Sequence, residues 1–352
     1  MIRRLLDAIV PVVLAAALLV VAWPGVVHLE RAPVVAQVAS FRAAAAAAGV
    51  ALLVLALLVV ALRRRSRRLA ASVALVCAAF VGLQAIVVTD RGTGGDPAAR
   101  HGDGPAATAG DGDLTVLSWN TLGGAPGAQA VADLVETERA DVVTLPETTE
   151  EFGAEVAGLL AARGTTMQVL STAFDHVSKA RSTTLLVGAD LGEYRLDDAA
   201  GSTGQLPSVV AGPAAGGGPT LVAVHAVAPV PSELATWRSD LDWAAATCRG
   251  DTIMAGDFNS TLDHWTHEPH GAGAGLGSCR DAAQRRDAAA VGTWPTWAPA
   301  LVGTPIDHVL ATPQWTPVAF RVITTLDGAG SDHRPIVATL RPASGRPTGD
   351  DG

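Results

Sequence analysis

The chain has 352 residues, 49% of them hydrophobic, with 34 acidic against 25 basic side chains and a net charge of −9 at pH 7. That length holds one large domain or two smaller ones. The acidic balance disfavours non-specific binding to nucleic-acid backbones, and three cysteines without a CxxC pair argue against a cysteine-built zinc module.

Taken in chain order, residues 8–27, 43–62 and 69–88 are apolar runs without a charged residue. Each is long enough to cross a bilayer, which needs roughly 20 apolar residues in a helix. The first run also fits a cleaved signal peptide, with "VAQVAS" offering small residues at a cleavage spacing. Two more runs follow it, so three transmembrane helices over 1–89 are expected whether or not the first is trimmed. Arg3 and Arg4 precede the first run, and "RRRSRR" at 63–68 joins the second and third, whereas 28–42 carries only Arg31 and Arg42 against Glu30. The positive-inside bias therefore predicts a cytoplasmic N-terminus and an extracytoplasmic remainder.

Residues 90–113, rich in Gly, Ala, Asp and Pro, predict a flexible linker, and 342–352 a disordered tail. Between them, 114–341 has the size of one α/β domain. From Asp90 onward there are 16 basic against 32 acidic residues, a net of −16. Cys77 falls in the third apolar run and reads as a small apolar filler, while Cys248 and Cys279 lie in the exported part. There an oxidising compartment favours a disulfide between them over two free buried thiols.

Runs rich in Val, Ile and Thr at 114–122, 140–147, 182–190, 206–212, 219–229, 251–259, 306–312, 318–326 and 335–340 predict strands. Ala128, Val131, Leu134 and Val135 predict a helix over 128–139. Leu234, Trp237, Leu241 and Ala245 predict another over 232–248, with Ser232 as its cap. Strands interleaved with a few helices predict an α/β sandwich rather than a doubly wound sheet.

These strand runs end in residues that bind metal or phosphate: Asn120, Glu147, His225, Asp257 with Asn259, Asp307, and Asp332 with His333. Several carboxylates gathered at one rim are costly without a cation among them, and hard oxygen donors suit Mg²⁺ or Mn²⁺. Each residue has a plain structural reading too. Asn120 fits a turn, Glu147 a helix start before "TTEEFGAEVAGLL", and His225 a core histidine. The order N, E, H, GDFN, DH, SDH resembles the endonuclease/exonuclease/phosphatase superfamily over about 114–341, most specifically through "GDFN" and "GSDHRP". Together with the apolar N-terminal runs, "GTWP" and "PIDHVL" are similar to its membrane-anchored actinobacterial-type members.

The resemblance implies a four-layer α/β sandwich of two β-sheets flanked by helices, and a divalent-metal-dependent phosphoesterase. It implies Asn120 and Glu147 as metal ligands with Asp332 near the same region, and Asp257 acting on the attacking water. Asn259 and His225 become phosphate contacts, and His333, oriented by Asp307, acts on the phosphoryl group. The chain departs from the pattern at "LPE", where Gln commonly precedes the Glu.

The substrate stays open among a lipid, a nucleic acid and a small phosphoester, and no protein partner is inferred. The alternatives are an extracellular endonuclease acting on DNA and a non-catalytic surface domain that keeps the fold; the filled set of positions favours the enzyme. "DHWTHEPH" spaces His264, His267 and His270 as a zinc site would, but with no Cys or HExxH beside it a solvated loop is expected. "GAGAGLG" at 271–277 reads as plain flexible chain.

Overall fold

The computed structural model describes residues 2–63, 66–94, 112–175, 177–265 and 275–343, and the chain divides into two compact units, Met1–Arg91 and Gly92–Gly352. The proposed linker and tail lie largely outside the described residues.

The first unit contains α1 (Ile2–Ala22), a short α2 (Val35–Ser40), α3 (Arg42–Leu62) and α4 (Arg67–Arg91). Helix α4 packs against both α1 and α3. A Cβ on Gly49 would meet the Phe80 ring at 2.8 Å, so a residue without a side chain lets α3 and α4 approach there. Cys77 is fully buried among these helices, as a small filler. Among the described residues two helices, α3 and α4, are long and apolar enough to cross a membrane by length and composition. The apolar part of α1, Asp7–Ala22, is shorter than the expected first span. Its helix, which accommodates Pro11, ends at Ala22, and a 3-10 turn over Pro24–Val27 takes up the rest of that run.

In chain order the strands of the second unit are β1 (Leu114–Ser118), β2 (Val142–Pro146), β3 (Met167–Ala173), β4 (Ser182–Gly188), β5 (Tyr194–Leu196), β6 (Val209–Pro213), β7 (Thr220–His225), β8 (Thr252–Asp257), β9 (Gly275–Leu276), β10 (Cys279–Asp281), β11 (Asp307–Ala311), β12 (Trp315–Val322) and β13 (Ile336–Pro342). They form two sheets, ordered β12-β13-β1-β2-β4-β3 and β5-β6-β7-β8-β11-β10-β9. Each sheet holds one parallel pair, β1 with β2 and β7 with β8, while its other pairings are antiparallel. A helix crosses over within each pair: α5 (Ala128–Glu138) between β1 and β2, and α7 (Leu234–Thr247) between β7 and β8.

The sheets face each other through β1, β2, β4, β7, β8 and β11. Strands covered on both sides read as unbroken apolar runs rather than alternating ones, and β1, β2 and β8 are buried along their whole length. On the outer face of the first sheet, α5 and α6 (Glu150–Ala161) bury Val131, Val135, Val156 and Leu160 against Leu117, Leu145 and Leu186. Helix α7 buries Leu234, Trp237, Leu241 and Ala244. The result is the expected four-layer α/β sandwich of two mixed sheets flanked by helices.

Local details differ from the sequence reading. Helix α7 starts one residue past Glu233, with no side-chain cap from Ser232. Gly275 and Leu276, read as part of a flexible run, pair with Arg280 and Cys279 as β9. Strand β3 was not anticipated; it is a partly exposed edge strand whose residues follow no clean alternation.

Cys248, at the end of α7, is bonded to Cys279 at the start of β10, with Cα atoms 5.8 Å apart. The bridge closes a loop of sequence separation 31, for which loss of chain entropy in the unfolded state gives about 3–4 kcal/mol of stabilisation. The Cys248→Ser, Cys279→Ser double variant should therefore unfold at a lower temperature by near-UV circular dichroism. An unchanged transition would show that the bridge contributes nothing.

Candidate active site

The candidate site lies where both parallel pairs end. Asn120 lies two residues past β1, Glu147 directly follows β2, and His225 and Asp257 close β7 and β8. In register, His225 is opposite Asp257 and Asp257 is opposite Asp307, so the three residues stand in one row across β7, β8 and β11. Asp307 opens β11, and Asp332 and His333 precede β13, so these do not end their strands as the sequence pattern suggested. Both strands run antiparallel to their neighbours, which brings their beginnings to the same edge.

Polar contacts join the cluster without a break. The Asn120 amide donates to Glu147 Oε1 at 3.1 Å and to Asp257 Oδ2 at 3.2 Å, and its Oδ1 accepts from the Leu122 N–H at 3.0 Å. His225 Nε2 is 3.9 Å from Glu147 Oε1. His333 Nδ1 lies 2.9 Å from Asp307 Oδ2, and its Nε2 lies 3.7 Å from Asp257 Oδ2. The backbone N–H of Asn259 donates to Asp257 Oδ1 at 2.8 Å. The Asn259 amide is turned to protein acceptors, Ala226 O at 2.9 Å and Asp257 Oδ2 at 3.3 Å. It thus orients the Asp257 carboxylate from two sides.

The backbone bends sharply to present these groups. Glu147 and Asn259 adopt φ of +55° and +45°, a region that costs non-glycine residues energy and recurs at functional turns. Gly256 of "GDFN" has φ +148°, and a Cβ there would sit 2.0 Å from the Val224 carbonyl oxygen. Only glycine lets β8 pass β7 so closely one residue before Asp257.

Burial governs the electrostatics. Desolvation lowers the pKa of His225 to about 3, with the His333 charge adding to the effect, so His225 is neutral. For His333 burial again opposes the charge, but Asp307 and Asp257, helped by Asp332, outweigh it and raise the imidazole well above its ordinary value. Asp257 is pushed up, first by burial and then by Asp307, while His333 pulls it down. Asp257, Asp307 and His333 each offer a ligand atom within 4.8 Å of the others. Asp307 Oδ1 and Asp332 Oδ1 are buried without a hydrogen-bond partner. Carboxylate oxygens left unpaired in a low-dielectric setting fit a hard divalent cation, which would compensate their charge.

Several supporting residues carried no signal in the sequence. Ser331 Oγ donates to the Asn120 carbonyl at 2.6 Å and accepts from the His333 N–H at 3.1 Å. Trp119 Nε1 donates to the His333 carbonyl at 2.9 Å, and Trp294 Nε1 to Asp332 Oδ2 at 2.9 Å. Arg334, 1% exposed, pairs with Asp327 and donates to the carbonyls of Gly292, Pro295, Thr296 and Ala298. It was visible in "GSDHRP" but not interpretable, because the carbonyls it holds are scattered over a loop tens of residues upstream.

A second buried acid–histidine pair braces the GDFN turn. His308 Nδ1 lies 2.8 Å from Asp281 Oδ2, and its Nε2 lies 2.9 Å from the Ser260 carbonyl oxygen. The ring packs beside Trp265 and Phe258. Burial disfavours its charge, but the Asp281 hydrogen bond and charge, with the Ser260 carbonyl and Asp307, hold its pKa above the ordinary value. His264, expected in a solvated loop, is buried; its Nδ1 accepts from the Thr261 N–H at 2.8 Å and its ring meets Trp237 edge-on. His267 and His270 lie outside the described residues.

A mixed two-sheet sandwich with an acid–histidine cluster at one edge defines a class, the α/β phosphoric ester hydrolases. The model of the Endonuclease/Exonuclease/phosphatase family matches residues 117–333, and the chain belongs to that family. Among solved structures, an endonuclease/exonuclease/phosphatase from Beutenbergia cavernae DSM 12333 is 23% identical, with 66% of this chain and 72% of that one aligned at a TM-score of 0.47. One from Bacteroides vulgatus is 16% identical over 66% and 99% of the two chains, TM-score 0.48. The 3′ phosphatase NExo from Neisseria, bound to product DNA hairpin, is 16% identical over 64% and 98%, TM-score 0.47. A comparison with curated proteins finds no match.

The brace gives a pH signature. Because the folded-state pKa of His308 is raised, the stability it contributes is fully present below its unfolded pKa of about 6.5 and is lost as pH rises through the folded value. Asp281→Asn keeps an acceptor for the Gln284 N–H, now met by Asp281 Oδ1 at 2.7 Å, but removes the charge. The variant should be about 3 kcal/mol less stable below pH 6.5, and the gap should close on the alkaline side in thermal melts. A gap independent of pH would place the effect elsewhere.

Proposed function

We propose that this chain is a membrane-anchored, divalent-cation-dependent phosphoesterase that hydrolyses a phosphodiester or phosphomonoester outside the cytoplasmic membrane. The observation that carries this reading is the unbroken line Glu147–Asn120–Asp257–His333–Asp307, with buried carboxylate oxygens unpaired beside it.

Asn120, Glu147 and Asp332 would hold Mg²⁺ or Mn²⁺. When bound, the cation supplies positive charge to the phosphoryl oxygens. Asp257, fixed by both donors of Asn259, accepts the proton of the attacking water. Its raised pKa suits a group that must take up a proton. His333 is oriented through Nδ1 by Asp307 and carries positive charge beside Asp257, where it stabilises charge growing on the phosphoryl group. Neutral His225 stands by Glu147 as a phosphate contact. In this geometry Asn259 acts by holding Asp257 rather than by reaching the phosphate.

Two observations support the location. The apolar helices α3 and α4 have the length and composition of spans, and the Cys248–Cys279 bond suits an oxidising compartment. With α1 as a further span, the arginines of 63–68 stay inside and the second unit stands outside.

The test uses the full-length protein in detergent, with bis-p-nitrophenyl phosphate as substrate and Mg²⁺, Mn²⁺ or chelator added. Turnover should need the metal, and His333→Ala and Asp257→Ala should each lower kcat by about 10²–10⁴-fold with unchanged near-UV circular dichroism. Near-wild-type rates in either variant would remove the assigned site. An alkaline phosphatase fused after Gly112 should be active in intact cells; an inactive fusion would put the domain in the cytoplasm.

A further inference from the structure

Three of the loops beside the site carry no charge. Residues 121–127, 226–232 and 292–303 follow or flank the strand ends that carry the cluster, and none of these stretches contains a charged residue. Leu122, Phe174, Val230, Leu301 and Val302 are exposed, Val177 is 91% exposed and Trp297 84%.

These residues are tied to the site. Leu122 is bonded to Asn120. Two residues beyond Val177, Lys179 Nζ donates to the Gly123 carbonyl at 3.0 Å, and the Ser182 carbonyl accepts from the Thr148 N–H. Thr296 N–H donates to the Asp332 carbonyl at 3.0 Å, and Arg334 holds the carbonyls of Thr296 and Ala298 on either side of Trp297. The indole of Trp297 is thus presented to solvent from a clamped backbone.

Solvating so many apolar side chains around a catalytic edge is unfavourable unless something covers them, and Trp belongs at a membrane–water interface. Charge narrows the occupant. A groove for a nucleic-acid backbone needs a row of cations. Of the basic side chains in the segments tied to the site, Arg181 and Arg334 are each paired with a carboxylate, and Lys179 donates to the Gly123 carbonyl.

We infer that the loops around the active site engage a phospholipid surface and that the substrate is a phosphoester carrying acyl chains. This rests on the phosphoesterase reading above and names its substrate class. Trp297 and Val177 enter the lipid layer, the apolar loops 226–232 and 292–303 lie against it, and the headgroup phosphate reaches the Asp257–His333 centre. Tethering by the apolar N-terminal helices keeps the enzyme at such a surface.

The experiment compares full-length wild type, Trp297→Ser and Val177→Ser in Mg²⁺ and Mn²⁺. The substrates are mixed micelles of phosphatidylcholine or sphingomyelin, plasmid DNA, and soluble bis-p-nitrophenyl phosphate. Wild type should hydrolyse a micellar phospholipid. Each variant should lose on the order of tenfold there, as removal of an interfacial anchor implies, and keep wild-type rates on the soluble diester, which also reports folding. Hydrolysis of the soluble diester with phospholipid untouched, DNA cleaved faster than phospholipid, or phospholipid rates indifferent to both substitutions would overturn the lipid inference alone. Wild type inert on the soluble diester and on every other substrate would overturn the phosphoesterase reading and the lipid inference with it.

Discussion

The pairing register of β7, β8 and β11 is the constraint from which the site follows. Cross-strand partners put His225, Asp257 and Asp307 in one row. Because side chains alternate with period two, a slip of one residue would turn each of them to the opposite face. The glycine ahead of Asp257 permits this register, since any side chain there would strike the Val224 carbonyl. The other sheet supplies the facing half of the site, with Asn120 and Glu147 just past a second parallel pair and His333 just before its antiparallel neighbour. The cluster is therefore assembled from two βαβ units on facing sheets, at the carboxyl ends of parallel strands where α/β proteins commonly bind ligands.

That placement has an electrostatic consequence. Asp257, Asp307 and His333 are all nearly without solvent contact, and an isolated buried charge is expensive. His333 takes up part of the negative charge through Asp307 and Asp257, and this mutual stabilisation raises its pKa although burial alone would lower it. His225, equally buried but without a carboxylate bonded to it, goes the other way and stays neutral. Two histidines thereby acquire opposite charge states from the same low dielectric, and what separates them is the carboxylates around His333, Asp307 first, then Asp257 and Asp332.

The sequence showed the central strands and the polar residues at their ends because both are local signals. Buried strands are continuous apolar runs, and the residue that breaks each run is the one that faces the site. Predicted strands overran for this reason: 114–122 ends at Ser118, and the last residues belong to the loop that carries Asn120. Strand β3 is a partly exposed edge, and β5, β9 and β10 span two or three residues, too short to show a period. Ser331 holding the Asn120 carbonyl and Trp119 holding the His333 carbonyl join positions more than 200 residues apart. No spacing rule in one chain reveals such a pair.

The same non-local logic links stability to geometry at the GDFN turn. The disulfide fixes Cys279 at the start of β10, and two residues later Asp281 both caps the short helix α8 (Ala282–Arg285) and binds His308. His308 in turn holds the Ser260 carbonyl, directly after Asn259, whose backbone and side chain aim the Asp257 carboxylate. Strained backbone such as that of Asn259 persists only where its surroundings over-determine it. Here the restraint comes from a covalent bond, a buried ion pair and a carbonyl contact arranged in series. The Ser260–His308–Asp281 pathway therefore restrains the turn from the side opposite the reacting groups, which leaves the inward face of Asp257 open to Asn120 and His333.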